Sequence, residues 1–128
     1  MIRVSLFLIL CSVSIAGPIE NHDIIHSFLY PDLEGVSMVD GVIVSWPGGG
    51  PRQPTEADIE SYRSDYRKWR AIENKRQDVV RATRELDALK PLGLTHRRYL
   101  AKQTQVTSLT QELDALPKNT HEPGDTVP

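Results

Sequence analysis

Two histidines at helical spacing are the residues of this sequence most suited to chemistry. His22 and His26 lie four positions apart, with Asp23 beside the first, in a stretch whose apolar residues have helical spacing. Residues four apart share one face of a helix, so both imidazoles can bind one metal ion. The sequence indicates no third ligand, and two histidines at this spacing are usually surface residues. We therefore predict no metal site and no cofactor.

A glycine-rich segment is the second candidate for chemistry. Gly48, Gly49 and Gly50 lie between Pro47 and Pro51. A phosphate-binding loop needs a Lys-Ser or Lys-Thr ending that opens a helix; this segment lacks that ending and has a proline where the helix would begin. The sequence also has no nucleophile–base signature of a known hydrolase type. We therefore predict that the protein is not an enzyme.

Composition limits the partners. Hydrophobic residues make up 39% of the 128-residue chain, and many of them lie between Met1 and Ala16, which leaves little apolar material for a core. Short chains bury a small fraction of their surface, so we expect an elongated structure or one that needs a partner. The net charge of −2 argues against nucleic-acid binding, which requires a basic face. The single cysteine, Cys11, excludes an intramolecular disulfide.

The N-terminus has the three-part pattern of a secretory signal. A basic start at Met1 to Arg3 precedes an uncharged, mostly apolar run, and Ser14 and Ala16 are small residues at the two positions that a signal peptidase reads. The run is shorter than the roughly 20 apolar residues of a bilayer span, so we expect no stable transmembrane helix. Residues 1–16 thus predict a secreted or periplasmic protein. An uncleaved anchor, a buried strand or helix, and an extension from a misassigned start codon are the alternatives.

A small helix and β-hairpin module is predicted over residues 17–46. Residues 19–29 have apolar side chains at near-helical spacing. Two β-branched runs, at 36–39 and 42–46, flank Asp40-Gly41, which is typical of a tight hairpin turn. An isolated hairpin is marginal in water, so this one must pack on the preceding helix.

A helical hairpin is predicted over residues 55–116, after a Pro/Gly-rich linker at 47–54. Thr55 can cap a first helix that meets no proline or glycine before Pro91, and Thr95 can cap a shorter second helix. The turn between them is short, so the two helices can lie antiparallel. The predicted fold class is therefore mainly α: a long helix plus a shorter antiparallel helix, preceded by the small helix and β-hairpin module.

The apolar positions of the first helix fall into two groups. One group alternates by three and four residues: Ile59, Tyr62, Tyr66 and Trp69. The pattern slips by one residue near Ile72, which argues against a uniform coiled coil. Residues predicted to pack between the helices are Ile72, Val79, Leu86, Leu89, Tyr99, Val106, Leu109, Leu113 and Leu116.

The second helix is too short to cover the whole first helix. It would leave the half with Ile59, Tyr62, Tyr66 and Trp69 uncovered, and tyrosine and tryptophan are favoured interface anchors. These four residues are therefore predicted to contact a protein partner or a second copy of the chain. The alternative is that their rings cover the small N-terminal module.

One short sequence occurs twice. Thr83–Leu89 and Thr110–Leu116 are identical at every position but the second, and each copy ends a predicted helix just before a proline. Two copies are too few for a solenoid. A favourable helix-ending sequence used twice and an internal duplication both remain open. The polar tail at 117–128 is expected to be disordered.

Motifs between residues 24 and 70 are similar to those of a known kind of protein. Leu29-Tyr30-Pro31-Asp32 is followed by two short predicted strands, Trp46-Pro47, and the sequence Gln53-Pro54-Thr55-Glu56-Ala57-Asp58-Ile59 opening a helix. This order resembles small tail-associated proteins (tail-fibre and tail-assembly accessory proteins) of tailed bacteriophages and prophages. The glycine triplet, the second helix and the signal-like start depart from the pattern, and no site residues carry over.

Two functions are consistent with these observations. The resemblance implies a non-enzymatic protein-interaction or assembly module, a structural or assembly protein of a phage tail found in the host cytoplasm or the virion. The alternative is a small exported or membrane-proximal helical protein of the envelope or extracellular space, for example a lysis accessory factor.

Overall fold

The computed structural model describes residues 18–124 and is mainly helical. The signal-like segment at 1–16 lies outside the described residues. Along the chain the elements are α1 (Pro18–Asp23), a π-helix (Ile24–Leu29), β1 (Ser37–Val39), β2 (Val42–Ser45), α2 (Glu56–Leu89), a 3₁₀-helix (Lys90–Leu92) and α3 (Arg97–Ala115). The predicted fold class is confirmed. Within 18–124, no helix is both long and apolar enough to cross a membrane.

The β-hairpin turns at Asp40-Gly41, as the sequence predicts. The φ angles of these two residues are +51° and +78°, in the left-handed region that a tight two-residue turn requires and that Asp and Gly tolerate. Val39 pairs with Val42, and Met38 pairs with Ile43. Since side chains alternate along a strand, the second pair packs on the core while the two valines are exposed on the other face.

The core joins the N-terminal module to the first turns of α2. Its most enclosed side chains all come from the π-helix: Ile24, Ile25, Phe28 and Leu29. Ile59 and Tyr66 of α2 complete the buried cluster. Because one core draws on both predicted units, the module and the helical hairpin are a single folded body.

The Pro/Gly-rich segment at 47–54 is held in place on this core. The indole Nε1 of Trp46 donates a hydrogen bond of 2.7 Å to the Pro51 carbonyl, and the Tyr30 hydroxyl donates one of 3.3 Å to the Arg52 carbonyl. Pro54 is buried. The sequence predicted a linker, and the structure shows a connection whose carbonyls are bound by aromatic side chains of the module.

The ends of the long helices are set by local capping. Thr55 and Asp58 form a capping box, in which each side chain accepts a hydrogen bond from the other residue's backbone N–H. Thr55 was the predicted cap of α2. The predicted cap of α3, Thr95, is wrong by one residue, because the His96 ring accepts the hydrogen bond from the Arg98 N–H at 3.1 Å.

Helix α3 packs antiparallel on the C-terminal half of α2. Of the nine residues predicted to lie between the helices, Ile72 and Tyr99 are buried and the other seven are half-buried. Ala82 of α2 is buried as well. Two helices alone cannot enclose side chains from every direction, which explains the partial exposure.

The repeated sequence places equivalent ion pairs on the two helices. Lys75 pairs with Glu112 at 2.9 Å, and Glu85 pairs with Lys102 at 2.5 Å. Lys75 and Lys102 are separated along the chain by the same number of residues as the two copies of the repeat. The same separation holds for Glu85 and Glu112. The contact between the helices is therefore approximately two-fold symmetric, and the equivalence extends beyond the repeated residues themselves.

Residues 117–124 return along α2 towards the module, and we call them the C-terminal strap. The segment has no helix or strand, but the Gly124 N–H donates a hydrogen bond of 2.7 Å to the Phe28 carbonyl. Composition predicted a disordered tail over 117–128, and the structure departs from that prediction as far as residue 124. The strap is ordered because it forms hydrogen bonds with residues of α2 and the π-helix, which are distant from it in sequence.

Substitution of Phe28 tests how much this core contributes to the stability of the protein. Its ring is fully buried and lies 5.6 Å from the Trp69 ring between centroids. We expect Phe28→Ala to lower the free energy of unfolding by about 3–5 kcal/mol, because it removes a large buried side chain. Urea unfolding followed by tryptophan fluorescence measures the change. Val44→Ala, at an exposed position, is the control and should change stability by less than about 0.5 kcal/mol.

Candidate functional site

The half of α2 predicted to bind a partner is covered within the chain. Ile59 and Tyr66 are each only 5% exposed, and Tyr62 and Trp69 pack against the core with part of their surface exposed. The prediction that this half is uncovered is therefore wrong, and the alternative, that the rings cover the N-terminal module, describes the structure. A role of these four side chains in binding a partner stays a prediction.

A buried arginine ties α1 to this half of α2. The Arg63 guanidinium donates to Glu20 at 2.6 Å, to Asn21 at 2.7 Å and to Glu60 at 2.8 Å. Glu20 also accepts from Arg67. Burial opposes ionisation of Glu20, but hydrogen bonds from the two arginines outweigh it and lower the pKa of that carboxyl. A buried guanidinium is tolerated only when its donors are satisfied, so this network fixes how α1 lies on α2.

A buried carboxylate on α2 holds the C-terminal strap. Asp65 accepts hydrogen bonds from the Thr120 N–H at 3.0 Å, the Thr120 hydroxyl at 2.6 Å and the His121 N–H at 3.1 Å. The Nδ1 of His121 also contacts this carboxylate, and its ring packs edge-on against Tyr62, 4.8 Å between centroids. Burial favours the neutral acid, but the hydrogen bonds from Thr120 and His121 outweigh it and hold the Asp65 pKa far below its ordinary value.

The strap therefore occupies part of the surface that α3 leaves open. Lys118, Asn119 and Glu122 line a shallow groove together with Trp69 and Ile72. The C-terminal strap thus supplies part of the cover that the sequence predicted a partner would provide. The sequence held one sign of this: Asp65 lies on the apolar side of α2, between Tyr62 and Tyr66, where an unpaired carboxylate would be costly.

The two histidines predicted to share a helix face lie close together. The rings of His22 and His26 lie 4.3 Å apart between centroids. Among residues 18–124, no three His, Cys, Asp or Glu side chains are grouped so that they could hold a metal ion. Partial burial, and the positive charge that His22 can carry, lower the pKa of His26. The neutral form of His26 is thus favoured over the charged form.

Six of the eight exposed large apolar side chains within residues 18–124 lie at two places; the other two are Ile19 of α1, at 79% exposure, and Val80 of α2, at 38%. Val39, Val42 and Val44 lie on the outer face of the β-hairpin, each 55–60% exposed, and we call them the head patch. A second cluster lies at the turn between α2 and α3, and we call it the tip patch: Leu92 at 45%, Leu94 at 64% and Leu100 at 46% exposure. Clustered exposed apolar side chains are typical of contact surfaces.

Comparisons with known proteins identify no relative of this chain. No family model matches it, and neither does any curated protein or any solved structure.

Asp65→Asn tests the attachment of the strap. The amide keeps the shape of the side chain but removes the charge that strengthens the hydrogen bonds from Thr120 and His121, so we expect a loss of about 1.5–3 kcal/mol of stability at pH 7. Hydrogen exchange should show faster exchange of the Thr120 and His121 amides. The control is Asp114→Asn at an exposed position of α3; unchanged exchange in both variants would contradict the assignment.

The depressed pKa of Asp65 predicts that the stability of the protein depends on pH. The pKa of Asp65 is depressed in the folded state, so its contribution to stability is present above the unfolded-state pKa of about 4 and is lost as pH falls towards the folded-state value. The stability difference between the native chain and Asp65→Asn should therefore shrink steadily below about pH 4. Urea unfolding at a series of pH values measures this difference, and a constant difference would contradict the prediction.

Proposed function

We propose that this protein is a non-enzymatic interaction module of a larger protein assembly, and that the assembly is the tail of a tailed bacteriophage. One observation carries the first part of the proposal: exposed apolar patches lie at both ends of a helical rod. The 34 residues of α2 span about 51 Å at ~1.5 Å per residue. The head patch lies on the module at one end of this helix, and the tip patch follows its other end.

The construction of the rod supports a role as a spacer. At the head end, α2 is fixed by its capping box, the shared core and the Arg63 network. Along its second half, α3 doubles the rod and adds the two symmetric ion pairs. A rod fixed in this way holds two contact surfaces at a constant separation and orientation. The resemblance to tail-associated proteins supports the choice of assembly.

A second candidate function is that of an exported helical protein of the envelope or extracellular space, such as a lysis accessory factor. The observation that favours it is the signal-like sequence of residues 1–16, which lies outside the described part of the chain.

Photo-crosslinking tests the interaction role. A benzophenone amino acid would replace Val44 in the head patch or Leu94 in the tip patch, in cells that make the protein from its native context. We expect discrete covalent adducts of defined mass from both positions, since these side chains would be buried in contacts. Asn74, exposed near the middle of α2, is the matched control. Adducts of equal yield from Asn74, or none from either patch, would contradict the proposal.

The N-terminal peptide distinguishes the two candidate functions. Mass spectrometry of the protein from its native context should find the chain beginning near Met1 if it is a tail protein assembled in the cytoplasm. Cleavage after Ala16 would instead support the exported protein and would overturn the assignment to a tail.

A further inference from the structure

The charges of this protein are distributed unevenly along its length. Residues 18–54, which include the head patch, contain five carboxylates and one arginine. Residues 81–102, which surround the tip patch, contain six lysines and arginines and two carboxylates. The small net charge of the chain thus hides an acidic head and a basic tip.

At the head, three of the five carboxylates are exposed and take part in no ion pair between described residues. Glu20 forms ion pairs with Arg63 and Arg67 of α2, and Asp23 accepts a hydrogen bond from the Tyr66 hydroxyl. Among the ion pairs within 18–124, none includes Asp32, Glu34 or Asp40. Asp40 lies in the turn between two head-patch valines, so negative charge borders this apolar surface directly.

At the tip, the unpaired charges have the opposite sign. Lys90 pairs with Asp87, and Lys102 pairs with Glu85. Three exposed guanidinium groups take part in no ion pair between described residues: Arg84, Arg97 and Arg98. The last two lie between the tip-patch leucines in sequence, so the tip is a leucine cluster bordered by positive charge.

We propose that the head patch of one copy of this chain binds the tip patch of a second copy. Valines would meet leucines, and the exposed carboxylates of the head would face the arginines around the tip patch. Opposite potentials around matched apolar surfaces favour this pairing, whereas head-to-head or tip-to-tip contacts would bring like charges together. This inference deepens the proposed function, on which it rests, by naming a second copy as a partner.

Such a contact has a definite consequence for assembly. The two surfaces lie on different parts of the chain, so the interface is heterologous, and a pair of bound copies leaves one free head and one free tip. The copies would therefore form rings or open chains. Each patch has only three apolar side chains, and a stable interface buries about 800 Å² per partner, so association is reversible and depends on concentration.

Sedimentation velocity of the full chain tests self-association. We expect the weight-average sedimentation coefficient to rise with protein concentration at low salt. Salt screens exposed charges, so the association constant should fall by about tenfold between about 0.05 and 0.5 M NaCl. A single species of monomer mass at every concentration would overturn the inference. The photo-crosslinking experiment would still report partners of another kind, so the two proposals can fail separately.

Mixing two charge-reversed variants tests the pairing itself. The tip variant carries Arg97→Glu and Arg98→Glu, and the head variant carries Asp32→Lys and Glu34→Lys. Among the exposed charges that take part in no ion pair between described residues, the head variant has a net positive head and the tip variant a net negative tip. Each variant alone therefore has the same sign at both ends in these charges and should stay monomeric. An equimolar mixture should associate again, because the acidic tip of the first variant now faces the basic head of the second. No recovery in the mixture would overturn the inference, as would association of either variant alone, which indicates a like-to-like contact.

A matched control separates end contacts from net charge. Lys68→Glu with Arg70→Glu changes the net charge as much as the tip variant does, but at positions on α2 outside both patches. This variant should associate as the native chain does, and loss of association would mean that overall charge alone governs it. Circular dichroism checks that every variant is folded. Leu94→Gln provides a second measure, since it should weaken association at all salt concentrations.

Discussion

The contact between the π-helix and the first turns of α2 is the interaction on which the rest of the structure depends. Neither partner is stable alone: a six-residue helix is below the length that persists in water, and an isolated long helix buries nothing. Together they enclose Phe28 against Tyr66 and Trp69 and give the β-hairpin a surface on which Met38 and Ile43 can pack. The head of the molecule exists because of this one contact.

Two buried charged groups on α2 direct what packs around that core. Arg63 binds α1 through Glu20 and Asn21, and Asp65 binds the strap through Thr120 and His121. Burying a charge is costly unless hydrogen bonds satisfy it, so each group accepts only an arrangement that supplies its partners. Hydrophobic contacts make the head compact, whereas these polar contacts determine the direction in which both ends of the described chain run.

The helical hairpin solves a different problem, which is to extend the molecule with little apolar material. Its two ion pairs are related by the same offset as the two copies of the repeat, so each helix presents an equivalent set of contacts to the other. Half-buried leucines and valines between the helices are enough to hold them together, because the hairpin does not enclose a core of its own. Exposed apolar side chains remain at both ends of the rod, while the sides of its helices are mostly polar.

Sequence alone determined the elements of this protein, because their signals are local. The Asp40-Gly41 turn, the Thr55 cap and the uninterrupted run of α2 each follow from a few neighbouring residues. Tertiary structure decided which parts of the chain cover the apolar side chains of α2. Tyr62 and Trp69 resembled an open interface because the covering groups come from distant parts of the chain: the π-helix, which precedes the hairpin and the linker, and a strap beyond α3 that composition predicted to be disordered. The sequence shows a carboxylate on the apolar side of α2, but its partners Thr120 and His121 are identified only by the fold, since long-range contacts leave no periodic signal in sequence.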